Sequence, residues 1–223
     1  MKVVSVQVGL PRATGPKGFL SGIQKKPVSG LLHVGKINLA GDSQADLKTH
    51  GGPDKAICAY PLEHYAFWNN KLSLDFSAGD FGENFTTQYL LESDVFIDDI
   101  YRIGTALVQV SQPRQPCWKL AKRWGIKQLP LHVQETGRTG WYFRVLEEGE
   151  TEAGSPLTLV ERIQTTWSVA KANEVMHHHK TDWDVAAELA NCPGLSANWR
   201  ATLSHRAEKR TVEDSTKRLE GEA

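Results

Sequence analysis

Apolar and polar positions alternate in short runs over the first three quarters of the chain. "KVVSVQVG" has the period of two expected of a half-buried strand, and "GLLHVGKINLAG" keeps it in part. "DKAICAY" reads as another strand. "YPLEHYAFWNNKL" then changes period: Leu62, Tyr65 and Trp68 fall at helical spacing, with Pro61 near the first turn. "DIYRIGTALVQVSQPR" predicts a hairpin or bulged strand pair that bends at Gly104, with Val108 and Val110 alternating. "TGWYFRVLEEG" and "SPLTLVERI" predict further strands. Short strands separated by frequent Gly and Pro predict a barrel-like or sandwich-like β domain with a few helices.

After about Gln164 the pattern becomes helical. "TWSVAKANEVMHHH", "TDWDVAAELAN" and "LSANWRATLSHRAEK" each read as a short amphipathic helix, with Thr181 or Asp182 capping the second and Ser196 the third. The expected fold is therefore mainly β with helices (α+β). A barrel-like domain spans residues 1–164, a three-helix extension 165–210, and a charged tail 211–223 is expected to fray.

Composition narrows the function classes. A chain of 223 residues suits one mid-sized domain, and at that length roughly 70% of the unfolded surface is buried, so no disulfide or metal staple is needed. Lys plus Arg and Asp plus Glu both total 26, a net charge of zero, which argues against non-specific binding to nucleic acid or an anionic membrane. The three cysteines, Cys58, Cys117 and Cys192, are far apart and form no CxxC pair, which argues against a disulfide framework and a cysteine zinc site. No signal-like apolar segment and no membrane-spanning run are visible, so a cytoplasmic location is expected.

The richest chemistry lies in "SQPRQPCWKLAKRWG". Leu120, Ala121 and Trp124 continue from Cys117 at helical spacing, and Pro116 suits a first helical position. Cys117 in a first turn, near Arg114, Lys119 and Lys122, would be placed to hold a thiolate. A small buried core residue explains the same pattern, and both readings stand from the pattern alone. Cys58 and Cys192 read as buried thiols. In "GDSQADLKTHGGPDKAICAYP", Gly51 and Gly52 permit close backbone approach and can offer amides to an anion, with His50 and Lys48 adding donors and Asp42 and Asp54 orienting the loop or meeting a ligand. An ordinary turn explains these glycines equally well. Lys25, Lys26 and Ser29 around Pro27, and Asn84 in "GDFGENFTT", also read as loop or turn residues when taken alone. His177, His178 and His179 do not share a helical face and are expected to be solvated.

Taken in order, "GDSQADLKTHGGPDKAICAYP", "FGENFTT" and "RIGTALVQVSQPRQPCWKL" resemble the MOSC domain, named for the C-terminal domain of molybdenum cofactor sulfurase. The C-terminal segment resembles the three-helix extension of its bacterial YiiM-type members. The resemblance implies a barrel-like β core that binds the molybdenum cofactor, a molybdenum ion on the dithiolene of a phosphorylated pterin. It maps the family's single cysteine, a metal ligand in related reductases, onto Cys117. It implies reduction of N-hydroxylated compounds, including base analogues such as 6-N-hydroxylaminopurine, with electrons from a separate reductase; a non-catalytic cofactor or sulfur carrier is the alternative. On this basis Lys25, His50, Gly51, Gly52, Arg114 and Lys119 become candidate donors to the anionic cofactor, and Asn84 a candidate partner for the pterin's polar edge. A metal-free thiol enzyme using Cys117 as nucleophile, and a nucleic-acid module built on Trp199, Arg200, His205, Arg206, Lys209 and Arg210, are further readings. The three-helix unit is expected to pack on the β domain or to mediate a homodimer.

Overall fold

The structure is a computed structural model and describes residues 1–14, 18–47 and 49–221. Lys48, one of the loop cations considered above, lies outside the described residues. In chain order the elements are β1 (Lys2–Val8), β2 (Arg12–Thr14), β3 (Phe19–Ser21), β4 (Lys26–Val28), β5 (Leu32–Val34), β6 (Ile57–Pro61), α1 (Glu63–Leu72), β7 (Phe85–Gln88), β8 (Ile100–Ile103), β9 (Ala106–Pro113), α2 (Trp118–Trp124), α3 (Leu129–Glu135), β10 (Trp141–Glu147), β11 (Gly149–Thr151), β12 (Leu157–Glu161), α4 (Val169–His177), α5 (Trp183–Ala190), α6 (Ala197–Lys209) and α7 (Thr216–Glu220).

Eight strands form one sheet in the order β12-β8-β9-β10-β6-β7-β1-β4, antiparallel except for the β6–β7 pair. The sheet closes on itself. Lys2 of β1 bridges Pro156, the Val3 amide donates to the Ser155 carbonyl at 3.0 Å, and the Leu157 amide donates to the Met1 carbonyl at 3.1 Å. Beyond that seam β4 takes over the same side of β1, pairing Val6 with Val28 and Val8 with Lys26. Two short ribbons, β2–β3 and β5–β11, lie outside the main sheet.

The alternation seen in the sequence has the predicted physical origin. In β10, Trp141, Phe143 and Val145 point inward, and in β9 Ala106, Val108 and Val110 do the same. From Ser111 onward β9 is buried on both faces, and it leads straight to the site at its end. A second apolar cluster lies outside the barrel, where Tyr65 and Trp68 of α1 meet Tyr60, Phe76 and Phe81, with Tyr60 and Phe81 stacked at 4.6 Å. Leu120 of α2 and Leu129 and Val133 of α3 are anchored in this cluster.

The three C-terminal helices start where the capping residues indicate: Ser168, Asp182 and Ser196 accept hydrogen bonds from Lys171, Val185 and Trp199 amides. Their apolar faces continue the barrel core, because Val169, Ala172, Leu189, Trp199 and Leu203 belong to the same buried cluster as Val108 and Phe143. The joint is polar. Asp54 takes the Arg144 guanidinium at 2.6 and 2.9 Å and the Ala197 amide at 2.9 Å, while Arg144 also donates to the Gly194 carbonyl. Asp54 is thereby engaged in holding the three-helix unit.

Two expectations are corrected. His177 is buried, edge-on to Trp199, with burial and then the Arg218 charge driving its pKa far below the usual range. Only His178 and His179 of that run are exposed. The tail does not fray up to Gly221: it forms α7, with Arg218 bonded back to the body of the protein.

Gly140 shows how the fold places a site residue. It sits at φ 68°, its amide donates to Glu92 at 2.7 Å, and its carbonyl accepts the Arg114 amide at 3.0 Å. A Cβ there would lie 2.2 Å from the Ala59 carbonyl oxygen. Gly140→Ala is expected to destabilise the protein by more than about 2 kcal/mol in urea denaturation, combining left-handed backbone strain with a clash against fixed backbone. A change within about 0.5 kcal/mol, the usual range for a neutral surface substitution, would overturn this account of the residue.

Candidate functional site

The cleft lies where the end of β9, the residue 42–55 loop, the loop after β3 and the start of α2 converge. Its inner part is lined by Lys25, Cys58, Asn84, Arg114 and Tyr142, and its outer part by Asp46, Thr49, Trp118, Lys122 and residues of the C-terminal tail. His50, Lys55, Gln115, Cys117, Lys119 and Tyr142 line both parts, so the two are continuous. The outer chamber holds about 810 Å³, enough for a cofactor or a drug-sized ligand.

Cys117 does not sit in the first helical turn as its spacing suggested. It is the N-cap of α2, in an extended conformation (φ −135°, ψ 166°), and Pro116 lies outside the helix. The side chain makes no capping hydrogen bond; it is half-buried and meets His50, with Sγ 3.3 Å from Nε2. The thiol is therefore exposed to the cleft, and the alternative of a core cysteine does not apply.

His50 is held at its other nitrogen. Nδ1 lies 3.3 Å from Asp46 Oδ2 and 3.4 Å from Lys119 Nζ. Burial and the adjacent Lys119 charge lower the His50 pKa to about 4 despite Asp46, so at neutral pH the Asp46–His50 contact is a hydrogen bond and not an ion pair. The Asp46 carboxyl is held well below the usual range, chiefly by the Thr49 hydroxyl and then by the Thr49 amide.

Arg114 carries the strongest electrostatic signal. It is 7% exposed, its side chain has no ion pair or hydrogen bond among the described residues, and Nη1 is buried without any partner. A guanidinium remains charged at any physiological pH. Burying one without a carboxylate costs several kcal/mol unless an anion shares the site. Lys119, half-buried, is a second cation without a carboxylate partner among the described residues; it lies 3.4 Å from His50 Nδ1 and 5.9 Å from the Trp118 ring centroid.

The remaining candidates divide. Lys25 lines the inner cleft, but its ammonium is already paired with the buried Asp42 carboxylate. Asn84 also lines it, yet both amide protons are used, one on the Gln7 carbonyl and one on Asp42 Oδ2, while Oδ1 accepts the Cys58 amide. Asn84 and Asp42 thus brace Lys25, and the Asn84 carboxamide is engaged within the protein on both its oxygen and its nitrogen. Gly51 and Gly52 line neither part of the cleft. Their constraint is conformational: Gly51 has Leu47 Cδ2 at 3.0 Å from a hypothetical Cβ, and Gly52 has φ 91° entering the short turn that carries Lys55.

Three contributors were not legible in the sequence. Cys58, read as a plain buried thiol, is buried with its pKa pushed up to about 11 by desolvation, but it forms part of the inner wall. Tyr142 faces the same cavity from β10, directly opposite Cys58 in the strand pairing. Arg218 arrives from a hundred residues downstream, and no local pattern marks it.

The depressed His50 pKa has a measurable consequence. With 6.5 as its ordinary value and about 4 when folded, the unfolded chain binds a proton that the folded chain refuses, so stability falls as the pH drops from 6.5 to 4. In cofactor-free protein an NMR titration should place His50 near pH 4, and His50→Gln should flatten part of the acid loss of stability. His177 contributes a loss of the same sign, so the comparison is wild type against the variant. A His50 midpoint at or above 6.5 would overturn the neutral, buried imidazole.

Comparison with known proteins agrees with this geometry. The MOSC domain matches residues 46–158, and the YiiM-like, 3-alpha helix domain matches residues 167–210. Protein YiiM of Escherichia coli (strain K12) is 41% identical over 209 residues, covering 92% of this chain and 93% of its own. A protein named "Reductase" from Gibberella moniliformis is 33% identical over 186 residues, covering 79% of this chain and 33% of its own length. The crystal structure of YiiM from Geobacillus stearothermophilus superposes with a TM-score of 0.80 at 43% identity, over 92% of this chain and 98% of that one. The domain that carries Arg114 and Cys117, and the helical unit that follows it, thus identify the chain as a member of the MOSC domain family with a YiiM-like three-helix domain.

Proposed function

We propose that this protein is a molybdenum cofactor-dependent reductase of N-hydroxylated compounds, including N-hydroxylated purine base analogues such as 6-N-hydroxylaminopurine. One observation carries the reading: a buried guanidinium with no anionic partner among the described residues, Arg114, shares a cleft with a half-buried thiol, Cys117. The donor set fits the cofactor. A soft thiolate suits molybdenum, and Arg114 and Lys119 suit an anionic phosphate. Among the described residues no cluster of three or more His, Cys, Asp or Glu could hold a metal by itself. One thiol beside free cations suits a metal that arrives with its own ligands.

The chemistry that a bound molybdenum cofactor supplies is oxygen-atom transfer. The chain's own residues do the rest. Converting N–OH to N–H consumes two electrons and two protons and releases water. With Nδ1–H donated to Asp46, the lone pair on His50 Nε2 faces Cys117 Sγ and would accept a hydrogen bond from the thiol, orienting Sγ for a ligand role. Lys119 and Arg114 lower the energy of negative charge in the inner cleft, where burial strengthens their fields. Tyr142 and Trp118 bound the chamber and limit water. Electrons are supplied by a separate reductase. The fungal relative, whose name is "Reductase", extends well beyond the matched part, which is consistent with redox chemistry that draws on additional protein.

A second reading has one observation in its favour. Cys117, His50 and Asp46 stand in a row with 3.3 Å contacts, an arrangement that also suits a metal-free thiol nucleophile. Metal analysis of protein made in cells able and unable to synthesise the cofactor separates the two.

In a cofactor-loaded assay on N-hydroxylated bases with a reducing system, Cys117→Ala should lose activity by more than about 100-fold, since even groups that only orient a metal ligand are worth about 10–100-fold. A fully active Cys117→Ala enzyme would sink the ligand assignment. Arg114→Met makes the electrostatic argument testable without turnover. It should raise the stability of cofactor-free protein by on the order of 1 kcal/mol, by removing an unpaired buried charge, while weakening cofactor retention. A lower melting temperature in Arg114→Met would mean that the guanidinium already has its partner.

A further inference from the structure

The matched domains end at residue 210, and neither includes the segment that follows. That segment nevertheless runs from the three-helix unit to the cleft and is held at three points. At its start, Glu213 is paired with Arg206, which is itself fully buried in α6 and donates to the Val175 and Met176 carbonyls at the end of α4. In the middle, Arg218 Nη1 donates to the Pro116 carbonyl and Nη2 to Gln134 Oε1, both at 2.6 Å. At the end, Gly221 lies so close to Trp118 that an added Cβ would be 3.2 Å from the indole Cγ. Phe19 of β3 packs against the same indole at 4.9 Å.

The second and third contacts fall on the residues immediately before and after Cys117. Pro116 is gripped by a cation that donates two hydrogen bonds, and Trp118 is clamped between β3 and the returning chain. Apart from the His50 contact at 3.3 Å, the Cys117 side chain has no hydrogen-bond partner among the described residues. Its thiol makes no capping bond, and α2 is only 7 residues long. Asp214, Lys217, Arg218 and Gly221 also form part of the outer wall of the chamber that Cys117 faces.

From this arrangement we infer that residues 211–221 are a clasp that fixes Cys117 in the cleft, with Arg218 as its positioning residue. The inference deepens the reading of Cys117 as the site's ligand and concerns the cofactor-free chain itself. It also assigns a task to the three-helix unit, to which the start of the clasp is tied through Arg206 and Glu213. The charged tail 211–223 was expected to fray. Up to Gly221 it is held because its charges meet backbone carbonyls and a carboxamide at the body's surface, where a charge-assisted hydrogen bond survives.

The test is peptide-resolved alkylation of the three thiols by iodoacetamide in cofactor-free protein, read by mass spectrometry. Deleting residues 211–223 removes Glu213 from Arg206 and costs stability in its own right, so Arg218→Ala, which leaves that pair intact, carries the test. Arg218→Lys, able to reach one acceptor but not both, is the conservative control. Losing a charge-assisted hydrogen bond shifts a local opening equilibrium by about tenfold or more, so Cys117 should alkylate about tenfold faster in Arg218→Ala. Cys58 and Cys192 should stay protected, and Arg218→Lys should fall between variant and wild type. Faster hydrogen exchange confined to residues 116–124 should accompany the change. A Cys117 rate within about twofold of wild type, or a parallel rise at all three thiols as in global unfolding, overturns the clasp. Neither readout depends on turnover, so the reductase reading can fail while the clasp stands, and the reverse.

Discussion

Where β1 comes back to meet the segment before β12, at Lys2 and Pro156, the sheet loses its free edges along that seam. Everything at the open end of the barrel is referred to that closure. Strand ends in a closed sheet cannot drift independently, because each is hydrogen-bonded on both sides. The last residues of β9, buried on both faces, therefore deliver Arg114 to a set position, where the Gly140 carbonyl holds its amide. The same closure places Cys58 opposite Tyr142 and brings the loop of His50 against the start of α2. A barrel core filled by Val108, Val110, Phe143 and Trp141 makes the frame stiff enough to hold a charge away from water.

Within that frame the charges fall into two classes. Lys25, Arg144 and Arg206 are answered by Asp42, Asp54 and Glu213, and each pair ties separate segments together. Among the described residues Arg114 and Lys119 have no carboxylate beside them, and both face the cleft. The distinction is energetic as well as geometric. A compensated ion pair in a protein interior contributes little net stability, whereas a buried charge without a partner, as at Arg114, is a standing cost that a ligand's charge can offset. The acidic groups next to the thiol do not remove this imbalance, since Asp46 is engaged by Thr49 and by a neutral imidazole.

Individual segments show how much could be read in advance. Strand alternation in β9 and β10, the hairpin bending near Gly104, and the caps Asp182 and Ser196 all follow local rules, and they are where the pattern puts them. Cys117 was recognisable as special from its neighbours, but its place one residue outside the helix was not, because Pro116 satisfies either a helical or an extended reading. Asn84 and Lys25 line the inner cleft, where the loops that carry them converge. Asp42 was singled out in its loop, but its pairing with Lys25 and Asn84 was not legible locally. The His177 run looked solvated because polar residues usually are; packing against Trp199 buried the first of the three.

By itself, the sequence determined most of the strands, the helical character after about Gln164, the family, and the residues around Cys117, since each of these rests on short-range periodicity or on a contiguous motif. Tertiary structure decided which charges are satisfied, which thiols reach the cleft, and that the C-terminal segment returns to it. The physical reason is sequence distance. His50 lies 67 residues from Cys117, and Arg218 lies 102 from Pro116. Whether a cation at such a separation is solvated, paired or facing a ligand depends on what the closed sheet brings beside it, and no local pattern carries that information.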